Sequence, residues 1–275
     1  MSEIVIKTEA LVHTYPKGVT ALKGVDIEIE KNDIISIVGQ NGSGKTTLVR
    51  HFNGLLRPTS GKVFIEGEDT SGNTVSSMSR KVGYVFQNPN HQIFCVTVRD
   101  ELEVAPKNYK MNPADTKKNI DRVVELMHLE KILSSHPLTL DYTTKKIVTI
   151  ASVLVYKPPV IVLDEPTGGL DQMGREMLSN IIRLAHDEGQ TTIIISHDMD
   201  YVAENSRRII VMADGQIIRN DVPFRVFSDH ASMEKAQIEP PQITQLDVAI
   251  MTDDQPCLSV GEFVKKYQTY TKRGG

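Results

Sequence analysis

The chain has 275 residues, 40% of them hydrophobic, and a formal net charge of −4 at pH 7. That length suffices for a full core and a smaller tail, and the mildly acidic balance gives no argument for nucleic acid as a partner. Two cysteines, Cys95 and Cys257, offer no disulfide framework, no apolar run is long enough to span a bilayer, and the first residues lack a signal-peptide pattern, so the expectation is a soluble cytoplasmic protein that reaches a membrane only through partners.

Residues 4–86 begin with strands. Val25-Asp26-Ile27-Glu28-Ile29-Glu30 alternates, which turns its acids to water and its aliphatics inward. Residues 33–38 read as a buried strand, and they enter Gly39-Gln40-Asn41-Gly42-Ser43-Gly44-Lys45-Thr46, which fits G-x-x-x-x-G-K-[ST] without a gap. The glycines let backbone N–H groups converge on a β-phosphate, Lys45 sets a cation against the β/γ oxygens, and the Thr46 hydroxyl can hold Mg²⁺. Thr47 opens a helix over residues 47–52 whose N-terminus faces the anion. The plainer reading, a glycine-rich turn with a chance lysine, is disfavoured by the strand and helix on either side.

Val82-Gly83-Tyr84-Val85-Phe86 is a short strand running into Gln87 and then the turn formers Asn88-Pro89-Asn90. The Gln87 amide could reach Mg²⁺ or an attacking water. Taken alone, it would be a solvated loop residue. Helices dominate residues 88–158; Asn112-Pro113 opens one, with Ile120, Val123, Val124 and Met127 at its buried spacing. Val160-Ile161-Val162-Leu163 is an apolar strand ending in Asp164-Glu165-Pro166. Paired with the phosphate loop, Asp164 is expected to orient the metal and Glu165 to polarise the attacking water. A helix is expected over residues 173–188, stopped by Gly189, before the strand Thr191-Thr192-Ile193-Ile194-Ile195 delivers Ser196-His197-Asp198 to the same sheet edge. There His197 is expected to contact a γ-phosphate. Past Asp221 the pattern weakens and Pro240-Pro241 marks a linker, although Phe227, Ile238, Ile243, Leu246, Val260, Phe263 and Val264 could form short helices packed on the core or on a second subunit. No internal repeat or low-complexity tract is present.

In this order the motifs resemble those of the nucleotide-binding subunits of ABC transporters, over nearly the whole chain. The resemblance implies an α/β fold: a P-loop NTPase core of mainly parallel sheet, an antiparallel β subdomain, an inserted helical subdomain at about 88–158 and a C-terminal extension at 222–275 beyond an ATPase domain at 1–221. It implies ATP and Mg²⁺ as ligands, with Gln87 as the Q-loop residue, Asp164 and Glu165 as Walker B, Gly169-Leu170-Asp171 as the D-loop and His197 as the switch histidine. Tyr15 falls where the family places an aromatic that stacks on adenine; the alternative is a tyrosine that merely finishes a hairpin strand.

One family element is missing. Where the family has Leu-Ser-Gly-Gly-Gln, this chain has Leu140-Asp141-Tyr142-Thr143-Thr144. In the family this segment closes over the γ-phosphate bound by the opposing subunit. A carboxylate there opposes phosphate by roughly 4 kcal/mol per charge pair at about 4 Å and an effective dielectric near 20. Tyr142 fills space that a glycine leaves open. Alternatively, Asp141 simply caps the helix through residues 147–151. The expectation is one half of an asymmetric heterodimer, whose other half is a second ABC ATPase subunit with an intact signature.

Within that group the chain is most similar to the ATPase subunits of energy-coupling-factor importers, through residues 86–94 (Phe-Gln-Asn-Pro-Asn-His-Gln-Ile-Phe) and 239–246 (Glu-Pro-Pro-Gln-Ile-Thr-Gln-Leu). The resemblance implies uptake of vitamins or transition-metal ions, work at the cytoplasmic face of the membrane, a transmembrane coupling protein above the ATPases and a separate substrate-capture membrane protein. Two other classes stay open at this point. A soluble ABC ATPase of translation or DNA repair would bring a tandem cassette or a long coiled-coil insertion, and neither is present. A nucleotide-gated interaction subunit that does not hydrolyse ATP fits the lost signature, but has no need of Glu165 or His197.

Overall fold

The computed structural model describes residues 3–251 and 255–272. A long hairpin of β1 (Ile4–Thr14) and β2 (Thr20–Glu30) opens the chain, and the buried positions of β2 alternate through Val25, Ile27 and Ile29 as its sequence pattern requires. Next come β3 (Ile34–Val38), buried throughout, and α1 (Lys45–Phe52). They are followed by β4 (Ser60–Ile65), β5 (Glu68–Asp69), α2 (Val75–Lys81) and β6 (Val82–Val85). Three helices then run in succession, α3 (Val98–Asn108), α4 (Pro113–Leu126) and α5 (Tyr142–Leu154), with side-chain caps from Thr97, Asn112 and Asp141. The chain returns through β7 (Val160–Asp164), α6 (Gln172–Asp187), β8 (Thr191–Ile195), α7 (Met199–Asn205), β9 (Arg208–Ala213) and β10 (Gln216–Asp221). Four helices complete it: α8 (Pro223–Phe227), α9 (His230–Ala236), α10 (Gln242–Ile250) and α11 (Val260–Lys272).

The strands make two sheets. One is antiparallel in the order β2-β1-β4-β5; the other runs β10-β9-β3-β8-β7-β6, parallel except at β10. Because β3, β8 and β7 are adjacent and parallel, Val38, Ile195 and Asp164 end at one edge of the sheet, where α/β folds hold their ligands. All five residues of β3, of β7 and of β8 are buried, which explains why these strands read as largely apolar runs without alternation, broken only by Ser36, Asp164, Thr191 and Thr192.

Three apolar clusters hold these layers. Ile6, Val25, Leu48, Phe52, Val63 and Val162 pack between the two sheets and α1. Val98, Leu102, Ile120, Val123 and Val148 join the three-helix segment to Ile161, Leu163 and Leu178. Val226, Phe227, Met233 and Ala236 seat α8 and α9 against Ile209 and Val211 of β9.

The tail does form short helices, and only part of its apolar set packs on the core. Phe227 is buried and Ile238 packs beside it, but Leu246, Val260 and Val264 are exposed. The inward face of α10 is polar instead: the Thr244 hydroxyl donates to Cys257 O at 2.7 Å, and Asp247 accepts from Cys257 N and Lys266 Nζ, each at 2.8 Å. A polar pin of this kind leaves no apolar period to read. Pro240-Pro241 joins α9 to α10, with Pro241 buried at the start of α10.

Candidate active site

The loop from β3 to α1 is shaped by close backbone approach. Gly39 has φ 144°, and a Cβ there would fall 2.1 Å from Met212 O; Gly44 has φ 105°, and its Cβ would fall 2.7 Å from Ala21 O. Only glycine fits at either position. Gly44 precedes α1 with no side-chain cap, so the helix N-terminus presents free backbone donors. Lys45 is buried, and its ammonium donates to the loop's own Gly39 O at 2.6 Å and Gln40 O at 2.9 Å. Burial pulls its pKa down against the opposing pull of the Glu165 and Asp164 charges. Ser43 Oγ is buried with no hydrogen-bond partner among the described residues. A cradle that excludes any Cβ, an orphaned hydroxyl and a buried cation satisfied only by carbonyls fit a bound phosphate.

Asp164 ends β7 buried, and its Oδ2 accepts from Tyr84 OH at 2.6 Å. Glu165 turns into the left-handed region at φ 51°, with its N–H donating to Ile195 O on β8. Its Oε1 lies 2.7 Å from Nδ1 of His197, whose side chain is largely exposed. Desolvation raises the pKa of both carboxyls. Tyr15 sets its hydroxyl 3.0 Å from Thr47 Oγ1 and its ring edge-on to His13.

Tyr15, Asn41, Gly42, Gly44, Lys45, Thr46, Thr47, Gln87, Asp164, Glu165 and His197 line one open cleft of about 320 Å³. Gly39 and Gln40 line an adjoining hollow toward Pro240 and Gln242, and Ser43 lies buried in the loop between. Residues far apart in the chain thus meet at the sheet edge. The donor set suits a hydrated divalent cation: a hydroxyl at Thr46, an amide at Gln87 and a carboxylate at Asp164.

Some participants carry no signal in the sequence. Tyr84 reaches Asp164 because β6 pairs in parallel with β7, a pairing legible only once strand order is known. Lys146, on α5, is buried and donates to Glu165 O at 2.6 Å and Gly168 O at 2.9 Å. In the divergent segment Asp141 does cap α5, accepting from Thr144 N at 2.9 Å and from Thr144 Oγ1 at 2.5 Å, bonds that hold its carboxyl below its usual pKa. Tyr142 OH donates to Gln87 O at 3.1 Å, and Thr143 Oγ1 donates to Gly169 O at 2.7 Å.

A phosphate loop between a central parallel strand and its helix, with acids at the tip of the next strand but one and a histidine just past the strand between, defines a P-loop NTPase cassette. Residues 22–168 match the ABC transporter family, and the chain belongs to that family. It is an ABC-type ATPase. The chain is 35% identical to the energy-coupling factor transporter ATP-binding protein EcfA of Methanocaldococcus jannaschii, with 98% of each chain covered. It is 38% identical to EcfA2 of Clostridium perfringens, with 88% of each covered. Among solved structures it is similar to cbiO1 of Clostridium perfringens, part of the ABC transporter complex cbiONQ, at 32% identity and TM-score 0.74 over 89% of this chain and 98% of that one. A second neighbour is a dimeric ATP-binding cassette in a post-hydrolysis state bound to ADP and Pi, at 28% identity and TM-score 0.72 over 79% of this chain and 98% of that one. No helix of the described residues is long and apolar enough to cross a membrane.

Proposed function

We infer that this chain binds and hydrolyses ATP to power an energy-coupling-factor type importer of vitamins or metal ions, as one half of an asymmetric heterodimer at the cytoplasmic face of a membrane. The observation that carries the reading is the contrast inside one chain. Its own hydrolytic pair is assembled, Glu165 against His197 at 2.7 Å, while the segment it would offer to a partner's nucleotide begins with the carboxylate of Asp141. A homodimer would repeat that defect at both sites; a partner with an intact signature would complete the site built on Lys45, Asp164, Glu165 and His197. The full-length similarity to EcfA subunits supports the importer assignment.

In this reading Gly39 to Thr47 cradle the phosphates of ATP, and Tyr15 offers its ring to the base. Thr46, Gln87 and Asp164 would hold Mg²⁺, which when bound neutralises phosphate charge. Glu165 accepts a proton from the attacking water, and His197 orients the carboxylate and reaches toward the γ-phosphate. Residues 1–221 form the ATPase unit, with its helical insertion at about 88–158, and residues 222–275 form the extension. A partly apolar groove between α2, β6 and α3, lined by Leu55, Val75, Phe86, Phe94 and Val104, suits a helix of a transmembrane coupling protein. Of these, Phe94 is 72% exposed, which favours a partner there. A separate membrane protein would capture the substrate.

The test is ATP turnover by the purified chain alone and together with the ATPase subunit that co-purifies with it from its source. Low activity alone and high activity in the pair is the expected result. Strong turnover by the isolated chain overturns the heterodimer.

A further inference from the structure

We propose that Lys146 is a positioning residue for hydrolysis in its own subunit: from the second turn of α5, its buried ammonium fixes the backbone that carries Glu165. The inference rests on the reading of Glu165 as the group that polarises water, and it concerns a residue outside the phosphate loop, the Q-loop, Walker B, the D-loop and the switch.

Lys146 is 1% exposed, unusual for a lysine, and a buried cation has to be satisfied by specific acceptors. Its acceptors are two backbone carbonyls, Glu165 O at 2.6 Å and Gly168 O at 2.9 Å, with the face of the Tyr142 ring 5.6 Å away. Glu165 needs such support because it stands at φ 51°, a conformation that residues other than glycine keep only where the surroundings enforce it. Its N–H is held by Ile195 O on β8 and its C=O by Lys146, so the residue is gripped on both sides. Between these two bonds the side chain is aimed at His197. Without the ammonium, the buried Glu165 carbonyl and the more open Gly168 carbonyl lose their donor, and the Glu165–Pro166 backbone can relax out of the strained state and carry the carboxylate away from the cleft.

The same end of α5 reaches two more parts of the site. Tyr142 OH donates to Gln87 O and Thr143 Oγ1 donates to Gly169 O. Glycines, which the family signature carries at those two positions, could make neither bond. The N-terminal end of α5 is therefore tied through side chains to Gln87 and Gly169 and, through Lys146, to Glu165.

The experiment compares Lys146→Met and Lys146→Arg with Glu165→Gln, in the full chain assembled with its partner ATPase subunit. Single-turnover hydrolysis, binding of a fluorescent ATP analogue, melting temperature and amide hydrogen exchange are measured on each. Lys146→Met is expected to slow hydrolysis about 10- to 100-fold while changing nucleotide affinity less than about twofold. Exchange should quicken in residues 165–169 and not in α1. Lys146→Arg, which can still donate to both carbonyls, should stay within about threefold of the parent rate. A parent rate in Lys146→Met overturns the proposal, as does an equal fall in rate and affinity with exchange raised throughout. Should Lys146→Met not fold, Lys146→Gln takes its place on the same readouts. Glu165→Gln separates the two assignments. If it turns over like the parent, the role of Glu165 fails; if it is inactive while Lys146→Met is not, only the role of Lys146 fails.

Discussion

His197 Nδ1 and Glu165 Oε1 stand 2.7 Å apart across the tips of adjacent parallel strands, one side chain 71% exposed and the other 12%. The geometry divides the work: a buried carboxylate kept from water, and an exposed imidazole that holds it from the open side. The contact joins residues 32 positions apart and depends on β7 lying beside β8.

Glu165→Gln should lower the ATP hydrolysis rate by at least about 100-fold, the range lost when a positioned general base is removed. Nucleotide affinity should stay near the parent value, since Gln keeps the shape and Lys45 is untouched. Phosphate release and equilibrium binding, measured on the same preparation, check both halves. The matching change in the partner subunit should have a smaller effect, because the site it serves uses the segment starting at Asp141.

The same substitution should stabilise the nucleotide-free chain at neutral pH. Burial raises the Glu165 pKa above its ordinary value of 4.5, so the folded state binds the proton more tightly than the unfolded state. Stability contributed by that proton is present below 4.5 and is lost as pH rises through the folded pKa. Removing the carboxylate removes the loss. Thermal melting from acid to neutral pH should show the Gln variant gaining on the parent as pH rises, and a gain that shrinks instead would contradict the assigned direction.

Replacing Asp141-Tyr142-Thr143-Thr144 by Ser-Gly-Gly-Gln should trade stability for activity. The change deletes the bonds to Gln87 O and Gly169 O and puts two glycines into the first turn of α5, together about 2–4 kcal/mol. It also removes the charge that opposes a partner-bound phosphate. The variant should melt several degrees lower yet hydrolyse ATP as a homodimer. No gain in activity despite ATP-dependent dimerisation would show that this segment is not what limits the subunit.

Phe94→Glu should separate transport from catalysis. Phe94 is 72% exposed at the rim of the groove near α3, so a charge there remains largely in water in the free chain. ATP binding and melting temperature should match the parent within error. Co-purification with the membrane component of the importer should fall sharply, and unchanged recovery of the complex would remove this groove from the docking surface.

Much of the site was legible in the chain alone, because its key parts are local. The run Gly39 to Thr46 declares its loop locally, since its glycines, its lysine and the helix N-terminus beyond them all fall within eight residues. The acids at the end of β7 and His197 past β8 were legible for the same reason: a short aliphatic run announces a buried strand, and the residues just past its end must emerge at the sheet edge. Asp141 as a helix cap was also readable from spacing. Sequence by itself could not decide the contacts between groups far apart in the chain, and these fix how the site is held. Tyr84 meets Asp164 across 80 positions and Lys146 meets Glu165 across 19, each through strand order or helix docking rather than any local pattern. In the tail, the apolar residues Leu246, Val260 and Val264 face outward because Asp247 and Lys266 claim the interior between α10 and α11. Local hydrogen bonding and side-chain period act over a few residues, so sequence records them; the partner of a buried charge is chosen by packing, and only the folded chain brings it within reach.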